Sequence, residues 1–468
     1  MCVAGAMALA GSAVRAQVGT SPSGVALPSD AEIRRVLADR IDVQRRSLGM
    51  VVGILGPNGR RVVAYGQSGD PATPTLGGDT AFRIASVTKV FTALLLADMV
   101  ERGEVRLQDP VHEYLPTGTS VPRRNGQLIR FIDLVTHTSG LPPRPPDFPS
   151  LTDPAAATYS AADLFRSLNG YTLPRDIGSG WDYGNLDFAV LGHALATRAR
   201  MEFGHLLEVR VTGPLGLRTT GLAATRAKGG VATGHDVQLD PIVRVETPAL
   251  EAAGSMWSSA DDLLGFLAAV MGYTSTTLKP ALDAMLATSR PMPSAGRVKA
   301  DQALGWFVMG EGANRIVSHD GNTPGFAAAI AFDPTSRVGI VVLSNASAPV
   351  GDIARHFLRP GQFPLAQAPP VQTRVEVAID PTRLDVLVGR YALASGAVFA
   401  VSRQTDTLVF HSASTGPLRL RPSAVREFFA SEIDLQITFN VDSEGRSTDL
   451  VVHQQGRAAS ARRIESTQ

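Results

Sequence analysis

The stretch "FAAAIAFDPTSRVGIVVLSN", Phe326 to Asn345, reads as two apolar runs joined by the turn Asp333-Pro334-Thr335-Ser336-Arg337. Strands linked this closely pair antiparallel. A third run, "NRIVSHDG" from Asn314 to Gly321, comes just before them. Strand signals also stand far upstream, in "GMVVGILGPNGRRVVAYG", Gly49 to Gly66. There two β-branched-rich runs flank Pro57-Asn58-Gly59, a hairpin signature. The region between has helical periodicity broken by many Pro and Gly residues. Strands at both ends with helices between them predict one antiparallel sheet carrying an inserted helical region, of α/β (α+β) class.

Outside this unit the composition changes. "RPGQFPLAQAPPVQ", Arg359 to Gln372, is Pro-rich and polar, as linkers are. From Leu384 to Ile464 short strand-like runs such as "AVFAVSR", "TLVFHS" and "TDLVVHQ" alternate with turn residues. That spacing predicts a small all-β barrel or sandwich. The opening residues, "MCVAGAMALAGSAVRAQ", are small and apolar and reach a small-residue cleavage site at Val14-Arg15-Ala16. They read as a shortened or mis-started export signal, or else as a disordered tail. Export implies a periplasmic or secreted protein.

Several function classes drop out on composition. The chain carries 44 basic and 43 acidic residues, for a net charge of +1. No global field favours nucleic acid, and no basic run is interleaved with aromatics. Cys2 is the single cysteine, so a mature chain without it has no disulfide, thiolate metal cluster or cysteine nucleophile. No metal and no cofactor are expected, because the histidines show no ligand spacing and no Gly-rich phosphate loop occurs. No Gly-x-Ser-x-Gly elbow is present, and no run of apolar residues is long enough for a transmembrane span.

The chemistry begins in "FRIASVTKVFTALLLADMVERGE", Phe82 to Glu104. Nearly every position from Val87 to Val100 is apolar, so the helix belongs inside the protein. Lys89 nevertheless sits in its first turn, where an ammonium is costly unless it is paired or loses its proton. Such an amine can act as a base towards Ser86, three residues earlier and on the same helix face. The helix start also offers free N–H groups to an oxyanion. The ordinary alternative for Ser86 is a helix N-cap. A second candidate, Tyr183-Gly184-Asn185, places a phenol and a carboxamide in one turn before another apolar helix. The alternative is that Tyr183 and Trp181 pack the turn while Asn185 caps. The third is His319-Asp320-Gly321-Asn322 at the end of a strand, where Gly321 lets a substrate backbone approach the sheet edge and His319 offers a polar, partly cationic wall. Alone, it also reads as a loop histidine near a turn.

In this order, "SVTK", "YGN" and "HDG" resemble the three motifs of the penicillin-recognising serine hydrolases, which include class C β-lactamases, D-Ala-D-Ala carboxypeptidases, D-aminopeptidases and esterases. "LVTHTSGLP" (134–142) and "SMWSSADDLLGFL" (255–267) extend the likeness, which covers roughly residues 30 to 355. It implies a β-lactamase/transpeptidase-like domain at 25–358, after the segment 1–24, then a linker at 359–376 and a lipocalin-like barrel at 377–468. It implies that Ser86 forms an acyl-enzyme on amide or ester bonds while Lys89 and Tyr183 move protons. Asn185 would hold the substrate amide, and the N–H groups of Ser86 and Asn322 would form the oxyanion hole. His319 stands where class C β-lactamases carry lysine. That difference favours D-amino-acid peptides, cell-wall peptides or small esters over β-lactams. The rival expectation is a sensor that is acylated without turnover. The partner is a small-molecule or peptide substrate; the oligomeric state is left open.

Overall fold

The computed structural model describes residues 27–224, 227–293, 298–367, 373–394, 396–412, 416–454 and 456–464. The export segment read at residues 1–24, with Cys2, lies outside the described residues, as does the end of the Pro-rich stretch, 368–372.

Helix α1 (Asp30–Ala38) leads into strands β1 (Gly49–Gly56) and β2 (Gly59–Gly66). Helix α2 (Thr88–Glu101), helix α3 (Asn185–Ala199), the short helix α4 (Glu251–Gly254) and helix α5 (Ala260–Val270) belong to the inserted region. Strands β3 (Ser289–Pro291), β4 (Ala300–Ala303), β5 (Phe307–Met309), β6 (Ile316–Thr323), β7 (Phe326–Asp333) and β8 (Val338–Ser344) follow, then helix α6 (Gly351–Leu358). The eight strands form one sheet in the order β2-β1-β8-β7-β6-β5-β4-β3. The amino-terminal hairpin thus closes against the last strand, with Met50 opposite Ser344 and Leu55 opposite Gly339.

Burial on both faces explains why the deciding stretch is apolar without interruption. Every residue of β7 is buried. Its Ala328, Ile330 and Phe332 enter the large core shared with α2 and α5. Ala327, Ala329 and Ala331 meet α1 and α6 in a smaller core, where alanine lets the helices lie close. Helix α2 is buried on all sides from Thr88 to Met99, as its unbroken apolar sequence requires. Strand β6 runs on to Thr323, so His319 lies in mid-strand rather than at a strand end.

The carboxy-terminal part is a closed barrel of eight antiparallel strands between Gly389 and Ile464. Its interior is filled by side chains, among them Tyr391, Phe410, Phe428, Ile437 and Phe439. The Phe428 and Phe439 rings meet edge to face at 5.6 Å. Ser431, in the turn that follows Ala430, accepts a hydrogen bond from the Val237 N–H of the first unit. No helix among the described residues is long and apolar enough to cross a membrane.

Candidate active site

Four elements converge where α2 begins. Phe82–Arg83 pairs with Trp257–Ser258, and the Ile84 N–H bonds to the Met256 carbonyl. Ala85 then adopts a left-handed conformation (φ 46°), and a single 3-10 turn carries Ser86 into α2. A non-glycine residue in that region stores strain, a frequent feature of functional turns. Thr88 and Thr92 clamp α2 to the 252–256 segment: Thr88 Oγ1 accepts from the Met256 N–H, and Thr92 Oγ1 donates to the Ala252 carbonyl. That clamp brings the Ala253 carbonyl to Lys89.

Lys89 is fully buried. Its Nζ lies 3.0 Å from Ser86 Oγ and donates to Asn185 Oδ1 at 2.7 Å and to the Ala253 carbonyl at 2.8 Å. All its partners are neutral, so desolvation dominates and the amine is pulled down to about 7, with Asp187 opposing. Asn185 is the first residue of α3, with Gly184 at the cap. Lys89 meets Tyr183 through the face of its ring. The Nζ sits 4.8 Å from the centre of the Tyr183 ring, a cation–π arrangement. Burial pushes the Tyr183 phenol above its ordinary range, while the Ser86 hydroxyl pulls it down by a smaller amount. Tyr183 is therefore a neutral phenol at rest.

On the sheet side, side chains alternate along β6. His319 and Gly321 face α2, while Asp320 turns to α6 and pairs with Arg355 at 2.7 Å. Asn322 Nδ2 donates to the Ser347 carbonyl. Strand β5 pairs with β6 only from Ile316 to Ser318, so the outer edge from His319 onward is open. The partly cationic wall expected of His319 is corrected by its surroundings. The ring stacks on Phe307 at 4.7 Å and is pulled down to about 3 by burial, with Lys89 contributing. Its Nδ1 lies 2.8 Å from the Asp320 carbonyl, which can only accept, so Nδ1 carries the proton and Nε2 is left as a buried acceptor. The Asp320 carboxylate points away from the site.

Gly321 has a steric reason to be glycine. An added Cβ would come 2.2 Å from the Ile84 carbonyl oxygen and 3.1 Å from the Ser86 nitrogen. Gly321→Ala is expected to displace the Ser86 turn from β6. A drop in kcat/KM of about 10²-fold with the fold retained would follow from such a misplacement. Activity equal to wild type would show that the strand does not fix the turn.

Sequence reasoning missed four groups. Asp187 on α3 is buried; its carboxyl lies 3.0 Å from His137 Nδ1 and accepts from Ser139 Oγ at 2.5 Å. Burial pushes that carboxyl well above the usual carboxylate range. Its signal was available, as an acid inside the apolar helix "NLDFAVLGHALA". His137, within the "LVTHTSGLP" stretch, also supports the Tyr183 ring at 4.6 Å. The Ala253 carbonyl and Arg244, which lines the cleft beside Ser86, come from a segment without a motif.

Residues 30–359 match the family described as Beta-lactamase. The chain is 28% identical over 322 residues to the D-alanyl-D-alanine-carboxypeptidase/endopeptidase AmpH of Escherichia coli (strain K12), covering 66% of this chain and 82% of that protein. It is 24% identical over 414 residues to Penicillin-binding protein 4* of Bacillus subtilis (strain 168), covering 83% and 88%. Among solved structures, D-alanine carboxypeptidase AmpC from Burkholderia cenocepacia aligns with a TM-score of 0.59 at 25% identity, over 70% of this chain and 99% of that one. A class C beta lactamase from Rhodobacter sphaeroides shares the fold, with a TM-score of 0.59 at 24% identity over 70% and 97%.

Proposed function

The chain belongs to the beta-lactamase family of serine hydrolases, and from that premise we propose that it cleaves amide or ester bonds through an acyl-enzyme on Ser86. The observation that carries this reading is the buried Lys89 amine, 3.0 Å from Ser86 Oγ and pulled down to about 7. At neutral pH a large share of the amine is unprotonated and can take the Ser86 proton as Oγ bonds to the substrate carbonyl. The N–H groups of Ser86 and Asn322 receive the resulting oxyanion; both residues line one cleft. The carbon–nitrogen or carbon–oxygen bond then breaks, and the leaving group takes a proton from the neutral Tyr183 phenol, which bonds to Ser86, while Lys89 keeps the Ser86 proton. Water attacks the acyl-enzyme and gives its proton to the Tyr183 phenolate, and Lys89 returns the first proton to Ser86 Oγ as the acid leaves. Asn185, already bonded to Lys89, keeps its amide N–H groups for the substrate.

D-amino-acid peptides, cell-wall peptides and small esters are the substrates this site favours. The AmpH relative is named for D-alanyl-D-alanine carboxypeptidase and endopeptidase activity. A neutral His319 on the sheet edge supplies no fixed charge for a leaving-group carboxylate, which disfavours β-lactams and cleavage before a carboxy-terminal residue and favours internal peptide bonds and esters. An export segment at residues 1–24 would put the protein where cell-wall peptides are found. The test is to mix the protein with an activated ester, a D-alanyl peptide and a chromogenic cephalosporin, and to follow product and protein mass together. A transient acyl mass with continued product release is expected on the ester or peptide. A permanent adduct without turnover on any of the three would make the protein a sensor and overturn the reading.

A further inference from the structure

Beside Ser86 the cleft continues between Asn185, Leu250, Thr323 and Arg244. Arg244 sits in an extended segment tied to the cleft wall through Val245, whose N–H bonds to the Leu151 carbonyl. The burial there is inverted. Val243 is 83% exposed, while Arg244 next to it is 7% exposed. Transfer energies favour the opposite arrangement, so turning the arginine inward needs a compensating interaction.

Within the protein that compensation is incomplete. Arg244 Nη1 reaches Glu246 Oε2, and its Nη2 reaches Ser255 Oγ, both at 3.4 Å, the long end of hydrogen bonding. Its buried Nε has no partner. Glu246 is committed elsewhere: it forms a close two-point pair with Arg83, whose guanidinium lies 4.4 Å from the Trp257 ring centre. Two arginines therefore share one carboxylate, and a net positive charge remains. Burial pulls Arg244 down to about 10, which still leaves it cationic at neutral pH. On the same cleft, the Thr323 hydroxyl is also buried without a partner. An unmatched guanidinium and an unmatched hydroxyl on one small cleft are the donors that a carboxylate accepts from.

We propose that Arg244 and Thr323 form a carboxylate-binding subsite next to Ser86, on the side of the substrate that Asn185 holds. The protein then selects substrates whose acyl portion bears a carboxylate. This rests on the reading of Ser86 as nucleophile. It also gives the neutral His319 edge and the cationic cleft opposite preferences, with the negative group on the acyl side and none required on the leaving group.

Mono-p-nitrophenyl adipate and p-nitrophenyl hexanoate differ in a terminal carboxylate against a methyl, and their kcat/KM ratio is the readout. The wild-type protein is expected to favour the adipate ester by about 10- to 100-fold, the worth of a charge-assisted hydrogen bond. Arg244→Met should bring the ratio close to that of spontaneous hydrolysis, and Thr323→Val should lower it less. A wild-type ratio at or below that of spontaneous hydrolysis overturns the proposal without needing any variant to fold. So does an Arg244→Met protein that loses activity on both esters with the ratio kept, since a merely structural arginine would act that way. Turnover of the hexanoate with no preference defeats this proposal alone. Failure of both esters to acylate Ser86 defeats the nucleophile reading and this subsite with it.

Discussion

Lys89→Met lowers kcat/KM by about 10³-fold or more on any substrate the protein turns over, and leaves it folded with a melting temperature at or above that of wild type. The loss follows from removing the one amine within 3.0 Å of Ser86 Oγ. The retained stability follows from linkage. Lys89 has its pKa lowered from 10.5 to about 7 in the folded protein. Below about 7 both the folded and the unfolded chain hold the proton, and the full penalty of burying the ammonium applies. Between about 7 and 10.5 the unfolded chain binds more protons, so stability rises with pH, and above 10.5 the penalty is gone. At pH 7 most of the penalty remains, on the order of several kcal/mol. Methionine fills similar space without a charge. The cost is the Ala253 carbonyl and Asn185 Oδ1 left without their donor, about 1–3 kcal/mol each at most. Kinetics and thermal melts on both proteins check the pair of outcomes. A large drop in melting temperature would mean that Lys89 holds the fold together. The wild-type kcat/KM should also rise with pH through about 7, and this limb should vanish in the variant.

Ser86→Ala removes the covalent step itself. No acyl or fluorophosphonate adduct should form, and hydrolysis should fall by about 10⁴-fold or more, to what the remaining cleft contributes without a nucleophile. The substitution is small where it matters. Lys89 keeps Asn185 and Ala253 as acceptors, and Ser86 makes no contact that the turn depends on beyond its backbone. The variant should therefore fold and bind substrate. Intact mass after incubation with the probe reads the result. Labelling at wild-type level would place the nucleophile elsewhere, with Tyr183 the nearest alternative oxygen.

The parts of the fold that were legible are those where one local pattern has one outcome. The runs of β7 and β8 had to be buried on both faces, and the closeness of their turn left only an antiparallel pairing. Lys89 stood out because an ammonium in an all-apolar helix needs an explanation, and Ser86 lay on the same face. Asp187 posed the same question on α3 and was passed over. Other features depend on residues far apart in the chain. His319 is neutral because it is buried beside Phe307 and close to Lys89, surroundings that the motif does not encode. The Ala253 carbonyl has no side chain to read. Arg244 looks like any surface arginine until Val243 is seen to take the solvent position in its place.

Activation of Ser86 requires that Lys89 hold its proton weakly, and the chain makes this directly measurable. It contains only four lysines, Lys89, Lys228, Lys279 and Lys299. Protein labelled with ¹³C and ¹⁵N at lysine side chains, assigned with the Lys89→Met variant, can be titrated by NMR resonance by resonance. The Lys89 signal is expected to titrate near pH 7, well apart from an ordinary lysine at about 10.4. A Lys89 signal that titrates together with the others would contradict it.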